Sequence, residues 1–330
     1  MEKLLGLILL SFFITALLVV PFIDILYKLK FRRVREQNKE HKIFDKLHNH
    51  KVGTPVGGGL LVIVVIVVLS ILVLPILNLP LESEILSLIV ALLGFGALGL
   101  YDDIHKFFQF PKTGVWGLRM KPKFVIQWII GLVIGCILYF GLGFENLYIA
   151  GLGNFNMGIA YILFAAFVIV AFSNAVNITD GLDGLAGGLL IICLFGFMVI
   201  ASAQVDPVLQ VFLGLWIGAM FAFLYFNVFP ARIWMGDVGA LAFGAALGVV
   251  ALLTAKVFAM VIIGGLFIVE VGTSALQLLS KKYRGKKIWA IAPLHHNLLH
   301  KGWEEPKIVM RFWLIGAIFA IFGVWLSTIK

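Results

Sequence analysis

Residues Ile159–Ala201 read IAYILFAAFVIVAFSNAVNITDGLDGLAGGLLIICLFGFMVIA. Two apolar runs flank the short polar stretch NAVNITDGLDG, Asn174–Gly184, which holds two asparagines and two aspartates. Bilayer hydrocarbon is about 30 Å thick, so a spanning helix needs about 20 apolar residues. Both runs approach that length, and neither alternates as a barrel strand would. Open sheets cannot span lipid, because their unpaired backbone groups find no water there. The pattern therefore demands helices, and it sets costly ionisable groups at their ends, where such groups usually face a cavity or an ion.

The rest of the chain repeats the pattern. It has 330 residues, 62% of them hydrophobic and only 13% charged, against about a quarter charged in soluble domains. Mean hydropathy is +1.06. Hydropathy and loop punctuation predict ten spans near 4–27, 56–76, 85–101, 123–142, 158–175, 185–203, 208–229, 238–255, 257–280 and 308–327. The expectation is an all-α polytopic membrane protein, a bundle of ten transmembrane helices in a single domain over 1–330. The eighth and ninth spans are divided only by a short hinge around Lys256. The N-terminal run has one early lysine, no small-residue cleavage site and an over-long apolar core, so it reads as a retained span. Cys136 and Cys193 lie inside apolar runs and read as packing residues.

Charge gives orientation. Of the 26 Lys and Arg, 22 fall in the segments 28–51, 102–123, 230–237 and 281–307. Positive-inside reasoning puts these loops in the cytoplasm and both termini outside. The net charge of +9 is thus concentrated on one face, as topology and anionic lipid require and as an anionic substrate would also require.

Asp102, Asp103, Asp180, Asp183 and Asp237 all fall at span ends on that face. Adjacent Asp102 and Asp103 cannot share one helix face, so they serve different partners, and Lys106 can approach Asp102 across one turn. Asp180 and Asp183 stand three residues apart among glycines that permit close approach of a ligand. Thr179 or Asp180 could instead cap the following helix. Asp237, between Gly236 and Gly239, could instead be a helix cap. Lys51 precedes the glycine-rich GTPVGGG stretch, whose N–H groups could cradle phosphate. His295 and His296 sit in a basic loop, where surface decoration competes with a functional role. Glu270 lies within a span and needs a buried partner that sequence does not name; Asp24 can reach the basic interface. Grouped carboxylates, lysines and glycine turns on one membrane face suit Mg²⁺ with a diphosphate. Magnesium takes one or two carboxylates plus substrate phosphates, and lysines neutralise the remaining charge.

Six motifs in order, KVGTPVGGG, YDDIHK, GLRMKPKFVIQ, NAVNITDGLDGLAGG, FNVFPARIWMGDVGAL and APLHHNLLHKGWEEPKIVMRFW, carry a resemblance. The chain resembles the polyprenyl-phosphate N-acetylhexosamine-1-phosphate transferase superfamily over essentially its whole length, in particular the branch of peptidoglycan synthesis. The resemblance implies that undecaprenyl phosphate attacks the β-phosphorus of UDP-N-acetylmuramoyl-pentapeptide, giving lipid I and UMP with Mg²⁺. It also implies a cytoplasmic-face cleft in a bacterial inner membrane and a homodimer; no nucleic-acid partner is expected.

Carried over by motif, Asp102, Asp103, Asp237 and His295 are the catalytic candidates, with Asp102 as candidate base. Asp237, with Asp102, is the expected metal ligand. Lys51, Lys106, Lys123, Asn174, Asn177, Asp180, Asp183, Asn227, Trp234 and His296 are the expected substrate contacts, with Trp234 against uracil. Val56, Gly57, Ala240, Asn297 and Leu299 depart from the family pattern, which touches recognition of sugar or peptide rather than the carboxylates. A GlcNAc-1-phosphate transferase of the same superfamily is the nearest alternative. An ion-coupled transporter would predict acids at the midplane and repeat symmetry, and a structural scaffold would leave the grouped acids unexplained.

Overall fold

The computed structural model describes residues 2–32, 51–107, 120–149 and 152–329. Most of the first basic loop and residues 108–119, which enter the charge argument, lie outside the described residues.

The helices are α1 (Glu2–Lys28), α2 (Gly58–Ile76), α3 (Ser83–Phe107), α4 (Met120–Cys136), α5 (Ala160–Thr179), α6 (Leu185–Ala203), α7 (Pro207–Asn227), α8 (Gly236–Leu253), α9 (Val257–Ile263), α10 (Gly265–Arg284), α11 (Leu294–His300) and α12 (Glu305–Ser327). Among the described residues, nine helices are long and apolar enough to cross a membrane, and the bent pair α9–α10 makes a tenth if counted as one span. The chain is a multi-pass helical membrane protein.

α8 is the axis of the bundle, with every residue from Val238 to Leu252 buried. Its composition, GDVGALAFGAALGVVALL, explains why. Lipid tails are as apolar as leucine, so helices associate where small residues let backbones meet. A Cβ built on Gly59 of α2 would lie 2.2 Å from the Cα of Gly239, and one on Gly99 of α3 would lie 2.2 Å from the carbonyl oxygen of Asp237. α5 adds a cross-helix hydrogen bond, Ser173 Oγ to the carbonyl of Leu241 at 3.0 Å. α1 packs along α7 in the same way, where Ser11 Oγ donates to the carbonyl of Leu215 at 2.6 Å. These contacts bring the starts of α2 and α8 and the end of α3 to one end of the bundle.

Three features depart from the sequence expectation. The span expected at 257–280 is not straight: α9 and α10 meet at 77°. The break falls at Gly264–Gly265, where a Cβ on Gly264 would lie 2.9 Å from the Phe172 ring and one on Gly265 2.7 Å from Phe319; paired glycines are a common cause of sharp kinks. The segment joining α4 to α5 holds an antiparallel hairpin, Asn146–Ile149 against Gly153–Asn156. The last basic loop folds into the short helix α11, and His295 and His296 within it are buried, not surface decoration.

The hairpin marks the end of the bundle away from the aspartates. Tyr148 donates to the carbonyl of Ile329, and the Lys256 ammonium lies 4.2 Å over the Tyr148 ring. At about 1.5 Å per residue, α8 separates Lys256 from Asp237 by most of a bilayer's thickness.

Candidate active site

Three helix ends build one polar corner. The end of α3 contributes Asp102, Asp103 and Lys106, and the first turn of α4 contributes Lys123. Lys106 Nζ lies 3.0 Å from Asp102 Oδ2 and 2.8 Å from Asp237 Oδ2. Lys123 Nζ lies 2.8 Å and 2.7 Å from the same two oxygens. Two ammonium groups and two carboxylates thus close a ring between residues 135 positions apart. Asp103 turns the other way, as the helix geometry anticipates. Its Oδ2 accepts from the Val238 N–H at 3.0 Å, so it closes the N-terminus of α8 from outside, where a negative charge is favoured. Asp237 is therefore not the cap of its own helix. Gly236 must be glycine here: its φ is +77°, and a Cβ would lie 2.7 Å from Asp103 Oδ2.

A second cluster holds Lys51. Its ammonium is 2.8 Å from Asp183 Oδ1 and also pairs with Glu305 at the start of α12. Glu305 accepts from the Asp183 N–H, while Asp183 Oδ2 accepts from Ala231 N–H at 2.9 Å. Lys51, Asp183 and Glu305 are all buried, at 3%, 5% and 5% exposure. Asn227 completes the wall: Oδ1 accepts from Gly184 N–H at 3.2 Å and Nδ2 donates to the carbonyl of Ile233 at 2.9 Å. The Trp234 ring lies beside Lys51, 5.1 Å from ammonium to centroid. The sequence alone assigns no role to Glu305, which stands in the KGWEEPK stretch.

Asp180 lies between the clusters. It is partly exposed and makes no side-chain hydrogen bond among the described residues. Burial, together with the charges of Asp237 and Asp183, pushes its pKa up to about 7, against the pull of Lys51. Neither Asp180 nor Thr179 caps α6, whose N-cap is Gly184 with no side-chain bond; Thr179 Oγ1 instead donates to the carbonyl of Ala175.

Two expected contacts are engaged within the protein. The amides of the glycine-rich stretch are already engaged: Gly57 and Gly58 N–H donate to the Trp234 carbonyl at 3.1 Å and 2.8 Å, and Gly59 N–H to that of Met235 at 3.0 Å. They pin α2 to α8 instead of cradling phosphate. Asn174 faces α4, its Nδ2 donating to Gln127 Oε1 at 2.9 Å and to the carbonyl of Val170 at 2.8 Å. Gln127 is one turn after Lys123, so Asn174 braces the helix that delivers that lysine. Asn177 makes no side-chain hydrogen bond among the described residues.

Glu270, unpaired in the sequence reading, meets His295. Its Oε2 is 2.9 Å from His295 Nδ1, and its Oε1 accepts from the His295 N–H at 3.2 Å. The His295 and His296 rings lie 4.1 Å apart, against Gly181 of the TDGLDG loop.

Among the described residues, no three His, Cys, Asp or Glu side chains form a ready metal cage. The donor set still fits Mg²⁺, a hard cation commonly held by one or two carboxylates and completed by substrate phosphates. Asp237 and Asp102, with Asp180 beside them, are the oxygens for such a role.

The sequence profile of glycosyl transferase family 4 matches residues 85–255, which contain the five aspartates. Full-length relatives extend the match to Lys51, His295 and Glu305. The chain is 37% identical over 324 residues to the phospho-N-acetylmuramoyl-pentapeptide-transferase of Geobacillus sp. (strain WCH70), covering 97% of this chain and 96% of that one. It is 36% identical over 322 residues to that of Bacillus subtilis (strain 168), with the same coverage. It is 38% identical over 333 residues to that of Shouchella clausii (strain KSM-K16), covering 98% and 97%. With its bundle, its corner of acids and lysines and this similarity from end to end, the chain belongs to the phospho-N-acetylmuramoyl-pentapeptide-transferase family.

Proposed function

We propose that the protein transfers phospho-N-acetylmuramoyl-pentapeptide from its UDP-linked donor to undecaprenyl phosphate, releasing UMP and forming lipid I. One observation carries the reading: Asp102 and Asp237, from opposite ends of the matched region, share Lys106 and Lys123 at one end of a membrane bundle. Phosphoryl transfer asks mainly for alignment and charge neutralisation, and this corner supplies both.

Lys106 and Lys123 face the donor diphosphate and the acceptor phosphate. A phosphate monoester has its second pKa near about 6, so the acceptor is largely a dianion at neutral pH and needs little help from a base. That suits Asp102, whose Oδ2 is already engaged by two ammonium groups and which acts by holding them. Mg²⁺, when bound at Asp237 and Asp102, supplies further neutralisation of the diphosphate. Lys51, Asp183, Asn227 and Trp234 form the uridine side, and Trp234 offers its ring to the base. His295 and His296 stand on the sugar-phosphate side.

The acceptor's chain has a place in this geometry. A cavity of about 320 Å³ between α5, α9 and α10 is lined wholly by apolar residues, among them Phe167, Ala171, Phe172, Ala175, Phe258 and Val271. Ala175 is one turn before Thr179, so the cavity lies along the end of α5 that precedes Asp180.

On this reading the protein sits in a bacterial cytoplasmic membrane with the carboxylate end toward the cytoplasm and both termini outside, and it works as a homodimer. The transporter alternative loses its deep acid, because Glu270 is paired with His295 beside the site. The test is UMP release from purified protein with undecaprenyl phosphate and either UDP-MurNAc-pentapeptide or UDP-GlcNAc. Release with the pentapeptide donor alone is expected; release with UDP-GlcNAc alone, or with neither, overturns the assignment.

A further inference from the structure

One face of α10 holds the chain that returns from its own end. Gln277 Oε1 accepts from the N–H groups of Ile288 at 2.9 Å and Trp289 at 3.1 Å, and its Nε2 donates to the Trp289 carbonyl at 2.8 Å. Ser280 Oγ donates to the carbonyl of Lys286 at 2.9 Å. Glu270, two turns earlier, reaches the far end of the returning segment and binds both the backbone N–H and the ring of His295. Glu270 is 1% exposed and His295 is 0% exposed. A buried carboxylate is tolerated only where donors satisfy it, and here one residue supplies them.

The pairing decides which ring atom is left. An ionised carboxylate only accepts hydrogen bonds, so the proton between the two groups sits on Nδ1. Nε2 remains, and it has no hydrogen-bond partner among the described residues. It lies against Gly181, where a Cβ would stand 2.3 Å from it, in the loop between Asp180 and Asp183. An unpartnered buried polar atom is destabilising, and a ligand's hydrogen bond would remove that cost.

We propose that Glu270 is a positioning residue of the active site: it fixes the ring plane and the Nδ1 proton of His295, so that Nε2 is left as an acceptor for a hydroxyl or amide N–H of the donor's sugar bound over Gly181. The proposal rests on the transferase reading for the identity of that ligand, but not for the tautomer.

The test uses the full-length protein in lipid nanodiscs, with Glu270→Gln, His295→Asn and the double variant. Glu270→Gln keeps the shape and an acceptor, so it is expected to melt near the wild type. Losing such an orienting partner costs about 10- to 100-fold in activity where it has been measured around metal-bound histidines. A fall in kcat of that size is expected, with KM for the UDP-sugar little changed. The double variant is expected to be no slower than His295→Asn alone, because the two residues act as one unit. Unchanged kcat in Glu270→Gln, or losses that multiply in the double variant, overturn the proposal. Nitrogen-15 spectra of the histidine rings, with His295 assigned by its absence in His295→Asn, decide the tautomer without any substrate. A protonated Nδ1 that loses its fixed signal in Glu270→Gln supports the proposal; a protonated Nε2 in the wild type, or an unchanged signal in the variant, refutes it. If neither UDP-sugar is turned over, the proposed function fails while the spectra still judge the pairing.

Discussion

Gly59 and Gly239 meet backbone to backbone: a Cβ on the first would lie 2.2 Å from the Cα of the second. Neither helix can retreat, because Gly57, Gly58 and Gly59 are also tied by their amides to residues 234 and 235. Gly59→Ala is expected to destabilise the protein by about 1–3 kcal/mol, the usual cost of overpacking, and to lower activity by shifting Asp237. Gly6→Ala, which meets nothing within 4 Å, is the control and should be neutral. Matched melting temperatures for the two variants in nanodiscs would contradict this account.

Asp237 shares both lysines with Asp102, so replacing it leaves each ammonium one carboxylate partner. Asp237→Asn is therefore expected to fold, with turnover lowered about 10²- to 10³-fold or more, as for loss of a preorganised electrostatic group. Near wild-type UMP release from the folded variant would falsify the role given to Asp237.

The raised pKa of Asp180 has a defined sign. The folded protein holds this proton up to about 7, whereas the unfolded chain releases it near the ordinary value of 3.8. Between those values the folded state binds more protons, so stability falls as pH rises through the window and the penalty is complete above about 7. Asp180→Asn removes the penalty. Its melting temperature should exceed that of the wild type at pH 8, and the difference should vanish toward pH 4. A difference independent of pH would show that Asp180 is not crowded by its acidic neighbours.

The apolar groove predicts a separation of substrates. Ala171 lines it. Ala171→Trp should raise KM for undecaprenyl phosphate about tenfold, equivalent to about 1.4 kcal/mol of lost binding, and leave KM for the UDP-sugar within about twofold. Equal effects on both constants would place the lipid chain elsewhere.

What the sequence revealed follows what each signal measures. Hydropathy registers length and apolarity, so the spans were legible, including the division at Lys256. It is blind to direction, so the turn at Gly264 was not. The aspartates stood out because a charge at a span end needs a reason, and Lys106 lay one turn from Asp102. Lys106 and Lys123 share the oxygens of Asp102 and Asp237 only because α3 crosses α8 at Gly99. Glu270 was conspicuous without its partner, since His295 lies 25 residues later on a segment folded back along the same helix. Asn174 is named through its motif, but its bond to Gln127, on another helix, is not legible in the sequence. The glycine-rich stretch misled for a related reason: glycine permits close approach but does not say whether a ligand or a neighbouring helix will come close.

The Lys51 contact with Glu305 joins a residue ahead of the second helix to the opening turn of the last. A chain still emerging from the ribosome can place Lys51 beside Asp183 long before that second carboxylate exists. This corner of the cleft is therefore finished only when the final helix has been threaded into the bilayer, and unfinished products lack it by construction.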